Sequence, residues 1–273
     1  MKFFKILGAF AILAIAMAAC TPTAPTGEQF GFKTGDYTVY QKVTLDSANN
    51  PIRDSVFRVT STVIATNRSI GGQNDAVLVI DSTFDRGSTT RLASLDSSYY
   101  RVANNEIYWF FDTGAIAQFL GGSGSFNLAG VSLTGFQSQW IKLGDLKDAA
   151  SSQDFSTTSF SANINVQPVG SIGIAATIGG KGLGKTSLSL NNTTYSVHRQ
   201  SQTIGLRLTI PLLGNLTIPT IQSEYDYGIP SENSTPRTLL RRQINTVVFN
   251  VPLVGPSVFN GERRTLVSFT PGK

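Results

Sequence analysis

The stretch that decides the fold is Ser159–Gln167, SFSANINVQ. Phe160, Ala162, Ile164 and Val166 alternate there with Ser159, Ser161, Asn163, Asn165 and Gln167. A period of two is a strand signal, because successive strand side chains point to opposite faces. The pattern recurs at Ile204, Leu206, Leu208 and Ile210 against Thr203, Gly205, Arg207 and Thr209. It recurs again at Phe57, Val59 and Val63 against Arg58, Thr60 and Thr62, and at Val247, Phe249 and Val251. In the first such run, Tyr37, Val39, Val43 and Leu45 alternate with Thr38, Tyr40, Lys42, Thr44 and Asp46. One apolar and one polar face per strand is how antiparallel sheets look when one side packs and the other meets water. The apolar sets are therefore expected to face the core.

The connections agree. Ala48-Asn49-Asn50-Pro51 and Ala103-Asn104-Asn105-Glu106 separate strand-like runs, and Asn tolerates the positive φ that tight turns need. Helical patterning is poor; Asp112–Leu120 and Leu143–Ser151 are read as short helices. The chain from Asp36 to Lys273 is read as mainly β and as a single domain. The expected architecture is a curved antiparallel sheet or half-barrel, with a β-sandwich as the alternative, carrying one or two short helices.

The N-terminus carries an address. Lys2 and Lys5 precede Ile6–Ala19, which is apolar or small throughout. That is the layout of a secretory signal peptide, too short for a membrane-spanning helix. Met17-Ala18-Ala19-Cys20 resembles the bacterial lipobox, with Met17 where that pattern prefers Leu. The resemblance implies that residues 1–19 are removed and that Cys20 is acylated and becomes the new N-terminus. Cys20 is the only cysteine of the 273 residues, whereas a secreted domain stapled by disulfides would show an even number. Each methylene buried in lipid adds about 0.8 kcal/mol, and two chains make attachment stable where one does not. Thr21–Gly35, rich in Thr, Pro and Gly, reads with Cys20 as a flexible tether reaching about 20 Å.

Charge excludes little. Removing Lys2 and Lys5 leaves 20 basic residues against 17 acidic, a net charge of +3. Arg241-Arg242 and Arg263-Arg264 are read as solvated strand faces rather than a nucleic-acid footprint. Thr113–Ile141 and Phe155–Gly180 hold no charged residue over 29 and 26 positions. They are read as doubly covered sheet and loops, or alternatively as a weakly polar lip for an apolar ligand.

The motifs that could carry chemistry are weak. Gly179-Gly180-Lys181-Gly182-Leu183-Gly184-Lys185-Thr186 matches the phosphate-loop spacing, with Gly179, Gly184, Lys185 and Thr186 at its defining positions. A true phosphate loop leads into a helix. Here Ser187–Tyr195 alternates like a strand, so the match is read as a glycine-rich hairpin turn with no nucleotide. His198 is the only histidine and is read as a surface or rim residue. Gly121–Ser125 falls short of a nucleophile elbow, and the donor set for ordinary zinc or calcium sites is missing. No catalytic residue, metal or cofactor is therefore expected. Glu224 and Asp226 are read as a solvated strand face rather than a glycosidase pair.

Aromatic residues are the best candidates for binding. Ile107-Tyr108-Trp109-Phe110-Phe111 is apolar on both faces, as in a strand covered on both sides. Trp109 and Phe111 share one face, and Trp140 lies at the end of the charge-free stretch. If that face lines a cavity, Trp109, Phe111 and Trp140 touch the ligand.

In its strand pattern, aromatic content and lipobox, the chain resembles the periplasmic lipoprotein-localisation carriers, which cover the apolar side of a curved sheet. That resemblance implies binding of acyl chains or other hydrophobic molecules. The expected function is that of a non-enzymatic, lipid-anchored envelope lipoprotein with a hydrophobic ligand. The alternatives are a structural or assembly partner of an envelope protein complex and, ranked last, a hydrolase of envelope polymers. Thr21-Pro22-Thr23-Ala24 lacks the Asp that retains lipoproteins at the inner membrane. The lipobox class thus implies the periplasmic face of the outer membrane.

Overall fold

The computed structural model describes residues 30–112, 132–147, 153–166, 170–211, 214–230, 232, 234–251 and 255–273. Cys20, the signal peptide and most of the tether lie outside the described residues. Strands β1 (Tyr37–Leu45), β2 (Pro51–Ile70), β3 (Gln73–Phe84), β4 (Leu92–Ala103) and β5 (Glu106–Phe111) form one antiparallel meander. After β6 (Ser132–Thr134) and β7 (Gln139–Asp145) comes a second meander. Its strands are β8 (Gln153–Val166), β9 (Gly170–Leu190), β10 (Thr193–Ile210), β11 (Gly214–Gly228) and β12 (Leu239–Ile244). Strands β13 (Val247–Val251) and β14 (Gly255–Phe259) make a separate ribbon. Strand β15 (Glu262–Thr270) inserts between β12 and β1 and joins the meanders into one 13-stranded sheet. Its order is β6-β8-β9-β10-β11-β12-β15-β1-β2-β3-β4-β5-β7.

That order forces the sheet to roll. Laid flat, its strands at about 4.8 Å spacing would set the two edges roughly 58 Å apart. Yet β6 lies on one edge, β7 on the other, and only residues 135–138 connect them. Such a link spans at most about 18 Å, so the edges meet. The result is a single domain built on a nearly closed antiparallel barrel, and the stacked sheets of the sandwich alternative are not formed.

Side chains close the seam. Gln200 of β10 is fully buried. It donates from Nε2 to the Asp145 carbonyl at 2.6 Å and accepts from the Asp145 N–H at 3.1 Å. Gln202 donates to the Leu143 carbonyl at 3.0 Å. An unpaired sheet edge is costly to bury, and these two amides serve the backbone of edge strand β7 in place of a neighbouring strand. Gly144 lets Gln200 come this close, because a Cβ there would stand 3.2 Å from the Gln200 Cγ.

The hairpin turns follow the asparagine reading. Asn49 has φ 64°, Asn104 and Asn105 have φ 55° and 59°, and Asn191 and Asn192 have φ 48° and 63°. Two expectations need correction. Leu143–Asp145 belong to β7, so the helix expected there is a strand, and the described residues contain no helix. The rest of both helix expectations, apart from Asp112, Leu146 and Lys147, lies outside the described residues. The glycine-rich run is not a hairpin turn either; it lies inside the 21-residue strand β9, and the turn comes later, at Asn191-Asn192.

A third correction concerns faces. On β1, Thr38 and Tyr40 are 4% and 6% exposed and line the lumen together with Lys42, so the polar set turns inward. Alternation assigns two faces to a strand, but a barrel that encloses a cavity does not require its inner face to be apolar. On β4, likewise, Ser94, Asp96, Ser98 and Tyr100 face the lumen while Leu95 is 60% exposed. The apolar core instead gathers Phe111 of β5 and Ile141 of β7 with Ile174, Leu206 and Ile221 of β9–β11. The β13–β14 ribbon packs onto this core through Val247, Phe249 and Phe259.

Packing also extends N-terminal to β1. Phe30 stands edge-on to Tyr227 at 5.4 Å, and Phe32 stacks on Tyr100 at 5.7 Å. The Asp36 carboxylate accepts from the Lys33 and Gly272 N–H groups, each at 2.8 Å, and is ion-paired with Arg237. Residues 30–35, read from sequence as tether, are thus held against the barrel.

Candidate functional site in the barrel lumen

The lumen encloses a cavity of about 360 Å³, within the range of small-molecule sites. Its two sides come from different arcs of the sheet. The arc β5, β7, β9 and β10 contributes Ile107, Trp109, Ile141, Leu143, Ile178 and Ile204. The arc β12-β15-β1-β2-β3-β4 contributes Arg242, Glu262, Arg264, Lys42, Asp81 and Asp96. Phe30, Phe32, Tyr100, Tyr225 and Tyr227 add aromatic surface. The cavity is amphiphilic, with an apolar side facing a charged one.

Strand alternation builds the charged side. Adjacent strand residues face opposite ways, so Arg241-Arg242 and Arg263-Arg264 are each split by the sheet. Arg242 and Arg264 point into the lumen, which corrects their reading as solvated faces. Both converge on Glu262: Arg242 Nη2 is bonded to its Oε1, and Arg264 Nε donates to the same oxygen at 3.2 Å. Lys42 Nζ lies 3.9 Å from Glu262 Oε2, and Arg264 Nη1 donates to Asp81 at 2.6 Å. Burial alone would raise the Glu262 carboxyl, but Arg242, Arg264 and Lys42 together outweigh it and hold it well below the ordinary range. Burial lowers the Lys42 ammonium, with Glu262 pulling the other way. Burial, helped by the Asp81 charge, pushes the Tyr100 phenol up to about 12.

Of the aromatic residues singled out from sequence, the structure brings two together. Trp109 lines the cavity, and Phe111 meets it edge-on at 5.0 Å. Phe111 is 2% exposed and sits in the core against Phe136 and Phe160. Trp140 lies on the other face of the sheet, beside Phe110 at 5.1 Å and over Gly71, where a Cβ would stand 2.9 Å from the indole nitrogen. The cavity is therefore lined by Trp109 alone of the three. Sequence reasoning passed over Lys42, Asp81, Arg242, Glu262 and Arg264, although Arg-Arg pairs within a strand must place one member inward.

The remaining motif residues fall elsewhere. Gly179, Gly184, Lys185 and Thr186 lie in β9, where the strand is paired to β10 and, up to Gly182, to β8. The run stays in the strand ladder, broken only by a bulge at Gly184 (φ 77°), with no loop to curl around a phosphate, and the Lys185 ammonium is bonded to Glu232. Packing explains another glycine of the run: a Cβ on Gly180 would stand 1.8 Å from the Phe155 ring. His198 is 6% exposed, not a rim residue, because the segment after β11 folds back on this part of β10. The Ile229 N–H donates to the Ser196 carbonyl at 3.0 Å, and the Ser196 N–H to Thr235 Oγ1 at 3.2 Å. Asp226 is fully buried, held by Arg199 Nε and Arg241 Nε at 2.7 Å each. Only Glu224 of that acidic pair is solvated.

No family model and no curated protein matches the chain. Two solved structures resemble it. An inferred lipoprotein of Parabacteroides distasonis superposes with a TM-score of 0.51 at 12% identity, covering 88% of this chain and 97% of that one. An inferred exported protein of Bacteroides fragilis, described as having a YmcC-like fold, gives 0.46 at 10% identity, covering 89% and 99%. The likeness to the Parabacteroides protein is one of fold.

Proposed function

We propose that the mature protein is a non-enzymatic lipoprotein of the cell envelope that holds a hydrophobic or amphiphilic ligand in its lumen. The observation that carries this reading is the lumen cavity with one apolar and one charged side. Support for the address comes from the charged n-region, the apolar run and the lipobox ending at Cys20, and the fold shared with an inferred lipoprotein agrees with it. Cys20 tethers the domain to the membrane, at the periplasmic face of the outer membrane. Trp109 is the aromatic residue against which the ligand rests.

The test is a fluorescence titration of the delipidated Cys20→Ser protein with a fatty-acyl probe. Saturable uptake, weakened by Trp109→Ala, is expected. No uptake at any concentration below the probe's own aggregation would refute the reading. Metabolic labelling with radioactive palmitate tests the anchor, and label should appear in the wild-type chain and vanish in Cys20→Ser.

A further inference from the structure

The charged side of the lumen is built to receive more than it currently satisfies. Arg242 Nε and Trp109 Nε1 are buried and have no hydrogen-bond partner. Arginine and tryptophan side chains can only donate, so what each lacks is an acceptor. Buried donors are nearly always paired, and two unpaired donors lining one cavity call for a ligand that carries acceptor oxygens.

The charges by themselves do not select among such ligands. Lys42, Arg242 and Arg264 all bear on Glu262, and Arg264 is shared with Asp81. Of these, Lys42 is at 3.9 Å, the loosest contact. The Asp81 carboxylate is taken by Arg264, and Asp96 accepts from Ser94 at 3.3 Å. The three cations and three carboxylates of this side balance, so the selection rests on the buried donors: an acceptor oxygen on the ligand would complete the Arg242 N–H. The apolar arc around Ile141, Ile178 and Ile204 offers space for a hydrocarbon chain.

We propose that the lumen ligand is a single-chain amphiphile with an anionic head, a carboxylate or phosphate, bound by Arg242 with Lys42 beside it. This rests on the lumen-binding reading above and specifies its chemistry. Glu262 is then the built-in competitor for the same cations, and the ligand head enters by sharing Arg242 with it.

The experiment compares cis-parinaric acid with its methyl ester on the full mature Cys20→Ser chain, by probe fluorescence. The acid should bind about tenfold more tightly, the worth of one charge-assisted hydrogen bond. Arg242→Gln should bring the acid down to the ester's affinity and leave the ester unchanged. Glu262→Gln should tighten the acid and not the ester, a gain that mere structural damage would not produce. If Arg242→Gln fails to fold by circular dichroism, the Glu262→Gln arm decides, and no gain there overturns the proposal. Equal binding of acid and ester would overturn the anionic head while leaving the lumen reading standing. Binding of neither would overturn both. Millimolar inorganic phosphate should not displace the acid; if it does, the site takes a free anion and the amphiphile assignment is wrong.

Discussion

Replacing Gln200 with Ala should open the seam of the barrel. The side chain is fully buried and makes two hydrogen bonds to the Asp145 backbone, at 2.6 and 3.1 Å. Each such bond is worth about 1 kcal/mol net, and a backbone group left unpaired in the interior costs about 1–3 kcal/mol. The Asp145 side chain is 11% exposed, so water reaches part of the vacated space and moderates the loss. The expected destabilisation is roughly 2–4 kcal/mol, a sizeable fraction of the 5–15 kcal/mol typical of a whole domain. Gln202→Ala, which removes the 3.0 Å bond to the Leu143 carbonyl, should cost less, about 1–2 kcal/mol.

Urea unfolding of the delipidated chain, followed by tryptophan fluorescence, measures both variants. Hydrogen exchange at Asp145 locates the effect, because this amide should lose protection in Gln200→Ala while the β1–β2 hairpin keeps its own. A destabilisation below about 1 kcal/mol together with unchanged protection at Asp145 would refute the reasoning. The edge of β7 would then be held by something other than these amides.

Three further outcomes are expected. Gly180→Ala should lower stability by about 1–3 kcal/mol in thermal melts, since the new methyl forces the Phe155 ring from a well-packed place. Acidification should destabilise the barrel: burial favours the neutral form of Glu262, but Arg242, Arg264 and Lys42 hold its carboxyl below the ordinary range. On Glu106 burial is likewise outweighed by Lys142, Lys147 and Tyr108, which bring it to about 2. A carboxyl depressed in the folded state contributes stability that is complete above its unfolded pKa and is lost as pH falls toward the folded value. The urea midpoint should therefore hold from pH 7 to about 5 and fall between about 4.5 and 2, with a smaller fall in Glu262→Gln. Lys185→Ala should shift stability by no more than about 1 kcal/mol, as befits an exposed pair with Glu232. Neither it nor the parent should give calorimetric heat with magnesium ATP.

The parts of the fold legible in sequence are the local ones. Alternation at Phe160–Val166 marks β8, and the paired asparagines at 104–105 mark a turn, because both signals depend only on near neighbours. Which face turns inward is not local. Tyr37, Val39 and Val43 are as apolar as any core face, yet Thr38, Tyr40 and Lys42 line the lumen, since the strands opposite enclose a cavity there. The glycine run in β9 illustrates a second limit. Its spacing matches a phosphate loop, but its physical cause at Gly180 is a phenylalanine 25 positions earlier in the chain. The seam is less visible still, because Gln200 and Asp145 are 55 residues apart and neither belongs to a motif. For the site, Trp109 was legible as an aromatic with a candidate partner face. The ion cluster was hidden by reading Arg242 and Arg264 as members of pairs rather than as alternate residues of a strand.

The charged arc asks for a reason. Burying an ion cluster usually stabilises a protein no better than apolar packing of the same volume, because desolvation offsets the attraction. The chain shows that it can pack this way: Val59, Leu188, Val197, Leu240 and Leu266 pack together against Tyr40, away from the cavity lining. Keeping Lys42, Arg242 and Arg264 beside a cavity is therefore a cost that folding alone does not explain, and the ligand proposed above would give it a use. The N-terminal segment links that use to the membrane. Phe30 and Phe32 line the same cavity, and the Asp36 carboxylate pins the chain just behind them. Nine residues separate Phe30 from Cys20, a reach of at most about 35 Å. With Cys20 acylated as proposed, a lumen ligand sits within that distance of the bilayer surface, close enough for an amphiphile to pass between membrane and barrel.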